Sequence, residues 1–498
     1  MSAPIRAAVA VGAGVAAGVL ACSLLPERYT FNAPVLHTIT GRGGAEAPPE
    51  AVFGARIRVP EGFAIGLHAD ALPGVRFLHA RPDGALLATA PRAGTVWRIE
   101  PDRDGDGRSD GRSALLEGLD RPHGIDVHEG WLYVAVADGV LRAPLAEDGS
   151  VAGEPSRVVD GLPEGGNHWT RTVRIGPDGW MYVSVGSSCN VCFEADERRA
   201  ALLRFRPDGS QGAIHASGLR NSVGFDWQPE TDALYATDNG RDLLGDDFPP
   251  CELNRIEAGG FYGWPVANGD RVLDPDLGEG SEARAAASIP PAHAFGAHTA
   301  PLGIRFLRHP DQPPAYRGAA LVALHGSWNR TEKSGYKVVS LHWNDAGLEE
   351  RDFAVGFEVD EDVIGRPVDV AEGPDGTIYL SDDYAGSIYR VSHGQAAASR
   401  TGRGAVAGAA PAASSPILPA GNRERGAALW ETHDCARCHD PGRAAPGVVP
   451  VPLASLTGRH DASSLAAFLV APTPPMPSYD LEASERVDLA AFLLSRFP

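Results

Sequence analysis

The sequence has few cysteines, few methionines and fewer basic than acidic residues. Its 498 residues include only 6 Cys and 3 Met, and 44 Lys+Arg stand against 64 Asp+Glu, a formal net charge of −20. Six cysteines are too few for a disulfide-rich scaffold of this length. The acidic balance argues against nonspecific binding to nucleic acid or to anionic lipid.

Residues that break regular structure are abundant instead. The chain has 59 Gly and 41 Pro, about a fifth of its length. This content favours short strands joined by turns over long helical bundles. The length itself predicts two or three folded units.

Residues 1–22 have the pattern of an export signal. Arg6 supplies a positive charge, an uncharged apolar stretch runs from residue 7 to 21, and Cys22 follows. Three alternatives stay open: a cleaved signal peptide, a lipid anchor at Cys22 and an uncleaved membrane anchor. The stretch is short for a membrane span. All three predict a periplasmic or otherwise extracytoplasmic protein, and two of them attach its N-terminus to a membrane.

A repeated pattern predicts the main fold. A turn containing Gly or Asp, followed by a short β-branched, aromatic or aliphatic run, starts six times, at Pro82, Glu129, Pro177, Thr231, Arg317 and Pro374. The spacing, about 46–60 residues with one longer gap, suits a four-stranded propeller blade. We predict an all-β six-bladed β-propeller over residues 52–394, with a functional insertion at 241–316. A β-sandwich with coincidental turns is the alternative.

The C-terminal part predicts a different fold. Residues 395–420 are rich in Ala, Gly and Pro, which indicates a linker. The sequence from Cys435 to Cys438 and His439 is CxxCH, the attachment motif for c-type haem, and Met476 follows 37 residues later. We predict a small all-α class I cytochrome c domain at 421–498. Its haem is bonded to both cysteines, and His439 and Met476 hold the iron. A zinc or disulfide motif is the alternative.

Two further motifs are typical of a metal site and of a disulfide bond. A calcium-type loop carries carboxylates at its first, third, fifth and ninth positions, which are Asp102, Asp104, Asp106 and Asp110. Its twelfth position is Ser113, so the alternatives are a structural Ca²⁺ site and an acidic solvated turn. Cys189 and Cys192 predict a local disulfide in an oxidising compartment. Cys251 stays unassigned, either free or bridged to that pair.

Several motifs dispersed over the propeller carry a family resemblance. They are Gly166–Arg171, Gly218–Ser222, Thr237–Asp242, Cys251–Asn254, Gly259–Pro265, His325–Arg330, Gly335–Val338 and Gly365–Val370. Together they resemble the soluble quinoprotein glucose dehydrogenase and sorbosone dehydrogenase group, whose members are six-bladed propellers that hold pyrroloquinoline quinone (PQQ). The turn at residues 239–241 lacks the His-Gly-Pro of the glucose enzymes, which favours the sorbosone branch.

The resemblance implies a role for each matching residue. His168 matches the general base that takes a substrate hydroxyl proton, and Arg220 matches an arginine beside the reacting quinone carbonyl. The remaining matches are Asn221 in the PQQ pocket, Lys337 and Arg366 as cations for the PQQ carboxylates, and the backbone carbonyls of Gly240 and Arg241 as ligands of a Ca²⁺ that bridges to the quinone.

These expectations combine into one hypothesis. The chain is an exported quinohaemoprotein dehydrogenase that oxidises a sugar, or a related aldehyde or alcohol, at PQQ. Electrons then pass to its own haem and to an external acceptor such as a cytochrome or an oxidase. The alternatives are a calcium-dependent propeller lactonase or other hydrolase, and a non-enzymatic electron carrier whose propeller is a docking module.

Overall fold

The computed structural model describes residues 47–344, 347–394, 422–433, 435–439, 443, 453, 465–466, 469 and 481–497. The chain divides into two compact units between residues 404 and 405. The predicted signal at 1–22, the predicted linker at 395–420 and Met476 lie outside the described residues. None of the helices among the described residues combines the length and the hydropathy of a membrane span.

The first unit contains six sheets, the blades of a propeller, each with four antiparallel strands. In one blade a short fifth strand, Gly260–Phe261, pairs in parallel with the outermost of the four. Blades 1–3 consist of β2 (Leu78–Ala80), β3 (Leu86–Ala90), β4 (Thr95–Ile99), β5 (Arg112–Leu116); β6 (Ile125–His128), β7 (Trp131–Val136), β8 (Gly139–Pro144), β9 (Ser156–Val159); and β10 (Arg171–Ile175), β11 (Met181–Val185), β12 (Ala201–Phe205), β13 (Ala213–Ser217). Blades 4–6 consist of β14 (Phe225–Trp227), β15 (Leu234–Asp238), β16 (Pro250–Ile256), β20 (His293–Ala297); β21 (Pro301–Phe306), β22 (Ala320–Leu324), β23 (Lys337–Asn344), β24 (Gly347–Ala354); and β27 (Pro367–Glu372), β28 (Ile378–Asp382), β29 (Ser387–His393) with β1 (Phe63–Ala69).

The ring closes because the N-terminal strand completes the last blade. Strand β1 pairs antiparallel with β29, with Phe63 opposite His393. Smaller elements complete this unit: helix α1 (Glu50–Arg56), β17 (Gly260–Phe261), β18 (Ala267–Asn268), β19 (Val272–Leu273), helix α2 (Glu282–Ala286), a 3₁₀ turn (Pro314–Tyr316), β25 (Glu358–Val359) and β26 (Asp362–Val363). The prediction of six blades is therefore confirmed.

The repeated sequence pattern marks the second strand of every blade. Strands β3, β11, β15, β22 and β28 are buried at every residue, and β7 at all but its first. A strand covered on both faces has a continuous apolar run, which is why this strand is the recognisable one. The insertion is shorter than predicted. Strands β16 and β20 belong to blade 4, so only residues 257–292 are additional. Strand β16 is hard to recognise in the sequence because it contains the buried polar residues Glu252 and Asn254.

The first strands of adjacent blades pack against each other around the propeller axis. Among their side chains, one residue per strand alternates between basic and acidic from blade to blade: His79, Asp126, Arg174, Asp226, Arg305 and Asp369. The three carboxylates also accept a backbone N–H from the first strand of the next blade, at 2.8 Å from Ile175, 2.8 Å from Phe306 and 2.9 Å from Leu78. These bonds tie the blades together in pairs.

Asp226 is the most heavily paired of these carboxylates. Arg308 donates to both of its oxygens at 2.8 and 3.0 Å, and Arg174 lies 3.4 Å away. Burial opposes ionisation, yet Arg305, Arg308 and Arg174 hold the pKa of Asp226 at about 2. The group is therefore charged at neutral pH, and its contribution to stability is lost as the pH falls from about 4 towards 2.

We expect Asp226→Ala to lower the free energy of unfolding of the propeller by about 3–5 kcal/mol, because it leaves buried guanidinium groups without their counter-ion. Denaturant unfolding of the full chain, followed by tryptophan fluorescence, measures the effect. The matched control is Asp270→Ala, since Asp270 is exposed. A midpoint for Asp226→Ala equal to that of the control would contradict this account.

The described part of the second unit is helical. It contains α3 (Arg423–Thr432), α4 (Ala436–His439) and α5 (Ala483–Arg496). Helices α3 and α5 pack together, and a Cβ atom on Gly426 would lie 2.7 Å from Phe492 Cβ. Glycine at this position lets the helices approach closely. The buried face of α3 consists of Gly426 and Trp430.

Candidate functional site

The side chains of interest meet at one face of the propeller. Strand register places the start of each first strand beside the end of the second, as for Arg171 opposite Val185 and Pro367 opposite Asp382. Residues just before the first strands and just after the second strands therefore share this face, which we call the upper face. It carries His168, Arg220, Asn221 and Arg366, four of the residues that the sequence singled out.

His168 precedes β10 and is held by Ser187. Its Nδ1 lies 3.0 Å from the Ser187 carbonyl oxygen and 2.8 Å from Ser187 Oγ. Ser187 Oγ itself donates to the Cys189 carbonyl at 2.8 Å, so both Ser187 oxygens accept from Nδ1. The proton therefore sits on Nδ1, and Nε2 of the neutral ring keeps its lone pair.

The surroundings keep this imidazole neutral. Burial, followed by the positive charge of Arg220, lowers the pKa of His168 to about 3. A Cβ atom on Gly186 would lie 2.6 Å from His168 Cβ and 2.7 Å from Asn221 Oδ1. Glycine at position 186 is thus what allows the imidazole and the amide to come together.

Arg220 precedes β14 and is 4% exposed. Its Nη1 donates to the carbonyls of Asn239 and Gly240 at 3.1 and 2.9 Å. Its Nη2 lies 3.0 Å from Asp242 Oδ2. Every nitrogen of the guanidinium has an acceptor, which fixes the plane of the group.

Asn221 and His123 have buried polar atoms without a partner. Asn221 Oδ1 and His123 Nε2 are buried and have no hydrogen-bond partner among the described residues. His123 precedes β6, so it also belongs to the upper face. Buried polar atoms are normally hydrogen-bonded in a finished structure. These two are therefore candidates for contacting a ligand.

A second cluster occupies the upper face of blades 5, 6 and 1. His325 Nε2 lies 2.8 Å from Asp383 Oδ1, and Arg76 forms an ion pair with the other oxygen of Asp383. Arg366 donates to the carbonyls of His325 and Gly326, each at 3.2 Å. Burial and then Arg366 lower the pKa of His325 to about 4. His325, Arg76 and Arg366 keep the pKa of Asp383 far below its usual value although burial opposes this.

Guanidinium groups and carboxylates meet on the upper face. Arg76, Arg220 and Arg366 lie there, and Asp242 and Asp383 are the carboxylates that pair with them. Asp382 accepts the backbone N–H of Arg366 at 2.9 Å on the same face. The guanidinium groups suit an anionic ligand with several acceptor oxygens.

Other predicted residues are placed differently. Lys337 starts β23, the third strand of its blade, and its ammonium pairs with Asp352 on the outer strand β24 at 2.6 Å. The Gly240 carbonyl accepts from Arg220, and the Arg241 side chain is buried in ion pairs with Asp274 and Asp276. A cation at the Gly240 carbonyl would therefore compete with a guanidinium.

The predicted calcium loop lies between β4 and β5. Carboxylate oxygens of Asp102, Asp104 and Asp106 come within 4.8 Å of one another. Asp102 also accepts from Arg390 at 2.7 Å, and Asp110 accepts from the backbone of Arg103 at 3.3 Å. Three of the four predicted carboxylates thus converge, and Asp110 does not join their cluster.

The cysteines and the CxxCH segment complete the predicted set. Cys189 and Cys192 form a disulfide, while Cys251 is buried and free. In the second unit, Cys435 is buried and His439 lies at the end of α4, with its ring 6.2 Å from that of Trp430. The side chain of Cys438 lies outside the described residues, as does Met476.

Sequence motifs did not single out Arg76, His123, His325 or Asp383. His325 opens one of the quoted motifs, but no role follows from that motif. Arg76 and His123 precede first strands, and Asp383 follows a second strand. A rule that collects polar residues at those two positions of every blade would have found all four.

Comparisons with known proteins agree with this architecture. The family model described as Glucose / Sorbosone dehydrogenase matches residues 134–390, about half of the chain. An uncharacterized protein of Borreliella burgdorferi is 32% identical over 294 residues, which are 56% of this chain and 77% of that protein.

Two comparisons involve proteins of Coprinopsis cinerea. A pyrroloquinoline quinone-dependent pyranose dehydrogenase is 27% identical over 266 residues, which are 44% of this chain and 36% of that protein. The holo form of a pyranose dehydrogenase PQQ domain has a TM-score of 0.59 at 22% identity and covers 70% of this chain and 99% of that one. The second likeness concerns the fold alone.

Proposed function

Because the chain belongs to the glucose/sorbosone dehydrogenase family, we propose that its propeller oxidises a sugar, or a related aldehyde or alcohol, with bound PQQ. One observation carries this proposal. The upper face places a neutral histidine with an open nitrogen beside a fixed arginine, and the same face carries Arg76 and Arg366. The similarity to the pyrroloquinoline quinone-dependent pyranose dehydrogenase of Coprinopsis cinerea supports the same proposal.

The residues present fit PQQ, a tricarboxylate. Arg366 and Arg76 supply charge for carboxylates, and the buried Asn221 Oδ1 and His123 Nε2 are polar atoms in need of partners. Lys337 contributes only if it leaves Asp352, so we assign the larger share to Arg366, which has no carboxylate side-chain partner among the described residues. When bound, PQQ supplies an acceptor for the two electrons and the hydrogen removed from the substrate carbon.

The residues of the chain perform the proton chemistry. Nε2 of His168 takes the proton of the substrate hydroxyl, because Nδ1–H is committed to Ser187. Arg220 stays in place through its bonds to the turn at residues 239–242 and stabilises negative charge that develops beside it. Oxidation of the CH–OH group then yields a carbonyl, with two electrons leaving the substrate.

Calcium has two proposed places. The carbonyls of Gly240 and Arg241 remain our proposal for an ion next to PQQ, in competition with Arg220. The convergence of Asp102, Asp104 and Asp106 supports a separate structural ion. Removal of Ca²⁺ by a chelator tests both, since loss at the first place weakens PQQ binding and loss at the second lowers stability.

The second unit provides the electron path in this proposal. Cys435 and Cys438 would bond a c-type haem, and His439 and Met476 would hold its iron. The packing of α3 on α5 through Gly426 supports this identity. The haem would supply one-electron transfer to an external cytochrome or oxidase. The sequence of residues 1–22 supports export to the periplasm, with or without attachment to a membrane.

Activity measurements on the full chain test the proposed function. Protein loaded with PQQ and Ca²⁺ is supplied with aldoses, aldehydes and alcohols, and reduction of an artificial acceptor dye is followed. We expect turnover with at least one aldose and none without PQQ. Dye reduction at the same rate with and without PQQ, or hydrolysis of a lactone by the same protein, would favour another class of enzyme. Among the described residues, no cluster of three carboxylates lies on the upper face to support a hydrolase.

The lowered pKa of His168 predicts the pH dependence. Because the imidazole is buried beside Arg220, the group that must be deprotonated titrates below 6.5, and activity persists at pH 5–6. The acidic limb of kcat/KM, which reports the substrate-free enzyme, is the measurement. An acidic limb centred at or above 6.5 would show that His168 is not the base.

A further inference from the structure

The loop after β11 contains the disulfide between Cys189 and Cys192, and Asn190 lies between these cysteines. Stabilisation by a cross-link grows with the length of the loop that it closes. A loop of four residues adds little to global stability by this route. The contacts of the loop show a more local consequence.

Asn190 holds Arg220 from one side. Its backbone carbonyl accepts from Arg220 Nε at 2.9 Å, and its Oδ1 accepts from Nη2 at 2.8 Å. Two parallel bonds to one edge of a guanidinium fix both the position and the plane of that group.

Asn190 also connects Arg220 to the turn on blade 4. Its Oδ1 accepts from the Asp242 backbone N–H at 2.8 Å, and its Nδ2 donates to the Asp242 carbonyl at 3.0 Å. The carboxylate of Asp242 in turn lies 3.0 Å from Arg220 Nη2. Arg220, Asn190 and Asp242 therefore form a closed hydrogen-bonded triangle that spans blades 3 and 4.

The same loop reaches the histidine. The Cys189 carbonyl accepts the hydroxyl proton of Ser187 at 2.8 Å, which leaves Ser187 Oγ as an acceptor for His168 Nδ1. One short loop thus sets the orientation of Arg220 and the tautomer of His168.

We propose that the disulfide-closed loop at residues 189–192 is the positioning element of the oxidation site and that Asn190 is the residue that orients Arg220. Asn190 acts through Arg220 and is a positioning residue, not a catalytic one. The inference rests on the proposed function, because only that function gives Arg220 a role in the oxidation of the substrate.

The first test is a double-mutant cycle on the full chain. We expect Asn190→Ala to lower kcat about 10- to 100-fold, with KM changed less than about twofold, because a misplaced donor fails mainly in the transition state. In an Arg220→Ala background, the same substitution should change kcat less than about twofold. Equal losses in both backgrounds would overturn the proposal, since Asn190 would then act independently of Arg220. Glu197→Gln, exposed in the same connection, is the control expected to match the unsubstituted protein.

The second test does not depend on turnover. PQQ binding to the apoprotein, measured by quenching of tryptophan fluorescence, should weaken severalfold in Asn190→Ala and in Cys189→Ser/Cys192→Ser, and not in Glu197→Gln. A crystal structure of the Asn190→Ala chain should show the Arg220 guanidinium displaced. An unmoved Arg220 with unchanged PQQ affinity would overturn the positioning role. If the unsubstituted protein binds PQQ but oxidises no substrate, the proposed function fails. The position of Arg220 in the Asn190→Ala crystal structure still shows whether Asn190 orients it.

Discussion

Replacing His168 with asparagine is expected to lower kcat by about 10²- to 10⁴-fold, the range for loss of a general base. Asparagine can still bond to Ser187, but it has no nitrogen lone pair to take the substrate proton. PQQ affinity should change little, because the positive charges of Arg220 and Arg366 remain. Steady-state dye reduction and fluorescence titration with PQQ measure the two quantities on the same protein.

The matched control for this substitution is His128→Asn. His128 is the last residue of β6, at the end of the strand away from the upper face, and it is partly exposed. Its replacement should therefore leave kcat unchanged. Retention of more than a tenth of the original kcat by His168→Asn would contradict the role of His168. Equal losses in both variants would indicate a general folding defect.

The second large effect concerns the haem motif. In Cys435→Ser/Cys438→Ser, no thiol remains to bond the haem, so haem absorbance and reduction of a cytochrome acceptor by substrate should both disappear. Dye reduction at the propeller should persist, because the described upper-face residues all belong to the first unit. Spectra of the purified protein and parallel assays with dye and cytochrome make the comparison.

Two results would contradict this electron path. If the double variant still passes electrons from substrate to a cytochrome, the haem is not an obligatory intermediate. If it loses dye reduction as well, the propeller does not function apart from the haem. His433→Asn, a partly exposed position near the motif, is the control that should retain both activities.

The sequence predicted the propeller because one strand of each blade is covered on both faces. A strand buried on both faces, such as β22, has an unbroken apolar run that can be recognised in the sequence alone. Strand β16 carries buried polar residues such as Glu252, and no periodicity reveals it. That difference explains why six blades were predicted correctly while the insertion in blade 4 was placed too broadly.

The candidate site was predictable where motifs carry it and not where only the fold brings residues together. His168, Arg220 and Arg366 lie in recognisable motifs, and the structure brings them to one face. Arg76 and Asp383 are more than 300 residues apart in the sequence, and their ion pair exists only because the ring closes. Lys337 matches a motif, but its side chain pairs with Asp352, since the direction of a side chain is set by its neighbours.

The most direct test of the central claim is a single-turnover experiment on the propeller in the full chain. Cys435→Ser/Cys438→Ser protein, loaded with PQQ and Ca²⁺ and free of haem absorbance, is mixed rapidly with excess aldose without an external acceptor. We expect the absorbance of the oxidised quinone to disappear at a rate that rises with aldose concentration. A bound quinone whose spectrum stays unchanged with every aldose, aldehyde and alcohol would contradict it.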